Sequence, residues 1–192
     1  MMDIPNDVGG LYHRSWGPPT RKAPNDATSP ILVIGLGNPI LGDDGVGWLV
    51  AEQVRLALEN GTNKHQPIEI DSLALGGLSL MERMIGYDRV IIIDALTTRK
   101  QPNGTIYRVS LEELPDLSAG HTTAAHDTSL QTALNVGRSM GAQLPEQIII
   151  VGVEAEKVYD FTEELSSEVK SAIPKAVQIV MDLLSEWSKQ AN

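Results

Sequence analysis

The sequence predicts a three-layer α/β/α sandwich around a mostly parallel sheet. Short apolar runs alternate along it with amphipathic segments of helical period. The runs Ile31–Ile34, Val90–Ile93 and Ile148–Val153 are continuous rather than alternating, as expected of strands covered on both faces. A glycine-rich turn, Gly35-Leu-Gly-Asn-Pro-Ile-Leu-Gly-Asp-Asp-Gly-Val-Gly47, joins the first such run to the first helical segment, making a strand, loop and helix unit.

Residues 1–29 are rich in Pro, Gly, Asn, Asp and Thr without a sustained apolar period. They read as a flexible tail whose anchors would be Tyr12, His13 and Trp16, ahead of a single domain over 30–192. After the first strand, Val46, Leu49, Val50, Val54 and Leu58 recur at helical spacing to about Asn60. Asp43 or Asp44 stands as N-cap and Gly61 lies past the end. Pro67 to Asp71 is a second short strand, followed by a loop to Gly77. Leu78, Leu80, Met81, Met84 and Ile85 mark a short helix that Gly86 ends. Arg89 to Ala95 is a very apolar third strand. Pro102-Asn-Gly104 is a turn, and Thr105 to Val109 alternates as an edge strand. Residues 112–123 read as loop, about 128–140 as helix with Gly141 beyond it, and Gln147 to Val153 as the last buried strand. A helix from about Ser166 to Ser188 closes the chain, and Pro174 within it predicts a kink or a break.

Composition narrows the function. A length of 192 residues with 42% hydrophobic content is enough for one domain with a sizeable core. The net charge of -10 provides no basic field for nucleic acid. Absence of cysteine removes disulfides, thiolate metal sites and a cysteine nucleophile, and it suits a reducing compartment. No apolar run reaches membrane-spanning length and the N-terminus lacks a signal pattern, so a cytoplasmic protein without membrane contact is expected.

The acids carry the chemistry. A glycine turn before a helix ordinarily attracts phosphate, but this turn already holds Asp43 and Asp44. Its glycines match neither the dinucleotide nor the P-loop spacing. The acids therefore bind a cation or do acid–base work. In open parallel sheets ligands gather outside the carboxyl ends of the strands. Topology delivers Asp44 after the first strand, Asp71 at the end of the second and Asp94 at the end of the third to one edge, within reach of His126 before the helix that follows the edge strand. Singly, each has a structural explanation: Asp43 as a cap, strand-end acids as turn fasteners, His126 as a loop or capping residue. Asp94 resists it, because a carboxylate at the lip of a buried strand needs a partner. Together, two carboxylates and an imidazole suit a borderline divalent cation such as nickel or zinc, with positions left open for water or substrate. His65, His121, Glu112 and Glu113 read as surface, and no serine or threonine sits in a nucleophile elbow.

At this point the pattern resembles the hydrogenase maturation endopeptidases. The matching segments are Gly35–Gly47, Ile70-Asp71 with Gly76-Gly77, Ile91–Ala95, Ala125-His126 and Ile150–Val153. The resemblance implies a five-stranded sheet with one antiparallel edge strand. It implies an endopeptidase that trims the C-terminus of a [NiFe]-hydrogenase large-subunit precursor after nickel insertion. Asp44, Asp94 and His126 then match the family's metal-binding trio, Asp71 matches a further functional acid, and the nickel is carried by the substrate. Water would be activated by the metal or by a carboxylate such as Asp44 or Asp71. Some family members carry Glu where this chain has Asp44. Two alternatives stand beside it: a peptidyl-tRNA hydrolase-like esterase, suggested by Gly35-Leu-Gly-Asn-Pro39, and a non-catalytic nickel-binding assembly chaperone using the same three ligands.

Overall fold

The computed structural model describes residues 30–60, 67–113 and 129–190. The tail over 1–29, His13, His65, His121 and His126 lie outside them. Among the described residues the elements run β1 (Ile31–Leu36), α1 (Val46–Glu59), β2 (Ile68–Leu73), α2 (Gly77–Arg83), β3 (Arg89–Leu96), β4 (Ile106–Ser110), α3 (Leu130–Ser139), β5 (Gln147–Glu154) and α4 (Ser167–Gln190). Short 3-10 turns occupy Gly42–Gly45 and Leu111–Glu113. Five strands form one sheet in the order β2-β1-β3-β5-β4, parallel except for the antiparallel pair of β4 with β5. The expected edge strand is thus at the edge, with its direction reversed.

Alternate side chains of each strand feed two cores. Ile31, Val33, Ile91, Ile93, Val151 and Val153 face α1 and α4, which contribute Val50, Val54, Val180 and Trp187. Leu32, Ile34, Val90, Ile92, Ile148 and Ile150 face α2 and α3, which contribute Leu80, Met81, Ala133 and Leu134. Both faces are therefore covered, which explains the unbroken apolar runs. At about 25 cal/mol per Å² removed from water, these layers supply the main drive to fold. Among the described residues no helix is long and apolar enough to cross a membrane.

Three local expectations are corrected. Neither Asp43 nor Asp44 caps α1; Gly45 occupies the N-cap and no side chain bonds there, because the acids are spent within and beyond the preceding 3-10 turn. Pro174 lies inside one continuous 24-residue α4 and so does not break it, burial of Val169, Ile173 and Ala176 on either side outweighing the lost backbone bond. Leu49, Leu78 and Ile85, expected on buried helix faces, are 44%, 48% and 38% exposed, lying on the flanks of the stripes that meet the sheet.

The strand order has a chemical consequence. From β1 the chain moves out to β2 through α1, then returns to lay β3 on the other side of β1. A crevice opens at such a reversal, between the carboxyl ends of β1 and β3. The start of α1 closes tightly on this point. A Cβ on Gly47 would collide with the carbonyl oxygens of Leu36 and Ile93, so only glycine lets the helix approach both strands.

Candidate active site

The loop after β1 presents its two acids in opposite ways. Gly37, at φ +122°, turns the chain away from the strand, and its N–H donates to the Leu73 carbonyl at 3.1 Å. Leu41 N–H then bonds to Asn38 O at 3.0 Å and Asp44 N–H to Leu41 O at 3.2 Å, folding residues 38–44 into a compact turn. Asp43 points inward and is fully buried. Its carboxylate accepts from the Ser166 backbone N–H at 2.6 Å and from Ser166 Oγ at 3.0 Å, pinning the loop to the chain just before α4. Asp44 stays half-buried and accepts from the Asn38 N–H at 2.5 Å. Burial raises its pKa above the usual carboxylate range, against the lowering effect of that N–H.

Asp94 meets Asp44 across the crevice. It stands near the end of β3, on the face opposite Ile93, where the parallel strands bury everything below it. Its pKa is pushed up to about 7, first by burial and then by the charge of Asp44, against the Ala95 backbone N–H. A carboxyl group that titrates near neutrality is suited to exchange protons with water at physiological pH. Two like charges held together also attract a cation, which would let both ionise. Among the described residues no group of three or more His, Cys, Asp and Glu side chains can hold a metal ion. Among the described residues, Asp44 and Asp94 are the carboxylates this crevice presents.

Asp71 sits elsewhere. Its register partner is Ile34, which in turn pairs with Ile92, so Asp71 is two strands and one side-chain step from Asp94. Ordinary strand geometry makes that about 12 Å. Arg83 Nε donates to Asp71 Oδ2 at 2.6 Å, while the same guanidinium bonds Glu69 at 2.5 Å and the Tyr87 hydroxyl at 3.0 Å. Tyr87 OH in turn donates to Glu69 at 2.5 Å. The structure thus gathers Asp44 and Asp94, sets Asp71 in a separate ion-paired cluster on the same sheet edge, and leaves His126 outside the described residues.

Sequence reasoning passed over two positions. Asn38 supplies the N–H that orients Asp44, and its side-chain carbonyl accepts from Ile40 N–H at 3.2 Å; its place between a glycine and a proline in the loop was the available signal. Glu154 ends β5 as Asp94 nearly ends β3, and is 1% exposed. An acid following an unbroken apolar run was the available signal there.

Comparison with known proteins places these observations. A family profile described as hydrogenase maturation protease matches residues 54–183, a span that contains Asp71, Asp94 and His126 and begins after Asp44. The hydrogenase 2 maturation protease of Escherichia coli is 30% identical over 161 residues, covering 84% of this chain and 94% of the relative. The hydrogenase expression/formation protein HupD of Rhizobium leguminosarum bv. viciae is 29% identical over 157 residues, covering 82% and 75%. Among solved structures, the E. coli hydrogenase maturating endopeptidase HybD superposes with a TM-score of 0.61 at 27% identity, covering 82% of this chain and 93% of that one.

Proposed function

The chain belongs to the hydrogenase maturation protease family and is an endopeptidase, and on that premise we propose that it removes the C-terminal peptide of a [NiFe]-hydrogenase large-subunit precursor once nickel is seated there. In this reading Asp44, Asp94 and His126 probe the nickel, which arrives as part of the substrate. The observation that carries it is the meeting of Asp44 and Asp94 at the strand-order reversal, where neither acid has a cationic partner among the described residues. A nickel ion presented by the precursor would offset the mutual repulsion of the pair, so affinity for loaded substrate follows from Coulomb's law.

Hydrolysis needs a water, a base and a leaving amine. Asp44 or Asp94, whichever carboxylate oxygen the nickel leaves free, accepts the proton of the attacking water as the water's oxygen bonds to the scissile carbonyl carbon. The same proton then passes to the departing amide nitrogen as the C–N bond breaks. Asp71 is a weaker candidate for that role, since Arg83 already occupies its carboxylate. We assign the reaction to the cytoplasm, a placement supported by a chain without cysteine.

Purified protein incubated with nickel-loaded and nickel-free precursor tests the proposal, with mass spectrometry reading the length of the product. Only the loaded precursor should be shortened, and His126→Ala should leave it intact while preserving the fold. Equal cleavage of both precursors would remove metal recognition. Metal binding with no change in precursor length would identify a chaperone instead.

A further inference from the structure

We propose that residues 155–166, between β5 and α4, form the surface on which the body of the protein substrate docks, anchored by Phe161 and Tyr159; this rests on the endopeptidase reading above. Phe161, the only phenylalanine of the chain, is 84% exposed, and Tyr159 is 74% exposed. The segment has no need of them to stay folded. Ala155 and Val158 turn into the core and Leu165 packs against it, while Tyr159 and Phe161 point the other way. Large aromatics displayed on an anchored loop are characteristic of protein-binding anchors.

Their position selects the occupant. Gly42 N–H donates to Thr162 O at 2.6 Å, Thr162 N–H to Ile40 O at 3.1 Å, and Asp43 N–H to Lys157 O at 3.1 Å. Ser166 closes the same unit through Asp43. The docking segment and the loop that carries Asp44 are therefore one piece of structure, and that loop adds an exposed apolar side chain of its own, Ile40, whose carbonyl holds Thr162. A folded protein whose scissile bond reaches Asp44 and Asp94 must lay its neighbouring surface on this ridge. Asp160, Glu163 and Glu164 are exposed around it, against a single basic residue, Lys157. The complementary surface on the precursor is an apolar recess bordered by Lys or Arg. Because the ridge is already held by backbone hydrogen bonds, little ordering remains to be done on binding.

The test is steady-state processing of nickel-loaded precursor by wild type, by Phe161→Ser/Tyr159→Ser, and by Glu163→Lys/Glu164→Lys. The first variant should raise KM at least tenfold with kcat within twofold of wild type, at unchanged thermal midpoint and sedimentation coefficient. The second should raise KM and flatten its dependence on salt. Unchanged KM in both variants would overturn docking here. A wild-type dimer that dissolves in the aromatic variant would also overturn it, assigning the patch to a second copy of the chain. A wild type that leaves the precursor uncut would instead sink the substrate reading on which the proposal rests.

Discussion

Two carboxylates end neighbouring strands at the same sheet edge and behave oppositely. Leu96 of β3 pairs with Glu154, and Asp94 pairs with Gly152, so the acids lie one strand apart on one face. Glu154 is 1% exposed, yet its carboxylate titrates below its usual range. Burial pushes it up, but Thr98 Oγ1 at 2.5 Å, Tyr107 OH at 2.6 Å and the Arg99 N–H at 2.8 Å together outweigh that push. At Asp94 burial is the main cause: with the charge of Asp44 adding to it and the Ala95 N–H in its favour, the group rises to about 7. Convergent donors make a strand-end acid a structural fastener, here for residues 97–105; their scarcity leaves it available for chemistry.

Breaking the fastener should have the largest effect. Glu154→Ala leaves three part-buried donors without their acceptor and should cost about 3–5 kcal/mol in urea unfolding, with Glu154→Gln intermediate. Since the folded pKa lies below the unfolded value near 4.5, the Glu154 contribution is present at neutral pH. It is lost as pH falls through the folded value.

Asp94→Asn should act with the opposite sign. The folded state keeps a proton that the unfolded chain releases near 3.8, so native Asp94 makes the protein less stable as pH rises from about 4 to about 7. Removing the charge should therefore stabilise the fold by about 2–4 kcal/mol at pH 8, little at pH 4, and abolish precursor processing. A flat difference between the two pH values would contradict the placement of Asp94 in a dry site. Smaller in energy is Asp44→Asn, which should lower the Asp94 midpoint below 7 in a carboxyl NMR titration. An unmoved midpoint would mean the two acids do not sense each other. Smallest is Arg99→Gly: Arg99 holds a left-handed φ of 57° beside Glu154, and glycine there should gain about 0.5–1 kcal/mol in thermal unfolding.

The legibility of these sites divides along physical lines. Asp94 was readable because four apolar β-strand residues precede it, a pattern that acts over one strand length. Glu154 carries the same signature, but a reading of β5 that stopped at Val153 missed it, and its donors Thr98 and Tyr107 come from another strand's end and from an edge strand. Asp43 looked like a helix cap because capping is local. Its actual partner, Ser166, is 123 residues away. Asp71 looked like a further functional acid because the second strand was read as ending there, whereas β2 runs on to Leu73. Arg83, twelve residues later, claims it.

The amino-acid sequence alone determined the order and kind of the elements and placed Asp71 and Asp94 near the ends of parallel strands. Those features follow from backbone sterics and apolar period, which operate among near neighbours in the chain. Tertiary structure alone decided which acids meet. The sheet order β2-β1-β3 sets Asp44 against Asp94 and carries Asp71 to the far side of β1, and proton affinity then follows from distance and the exclusion of water. Both quantities are fixed by segments remote in sequence, so no local pattern encodes them.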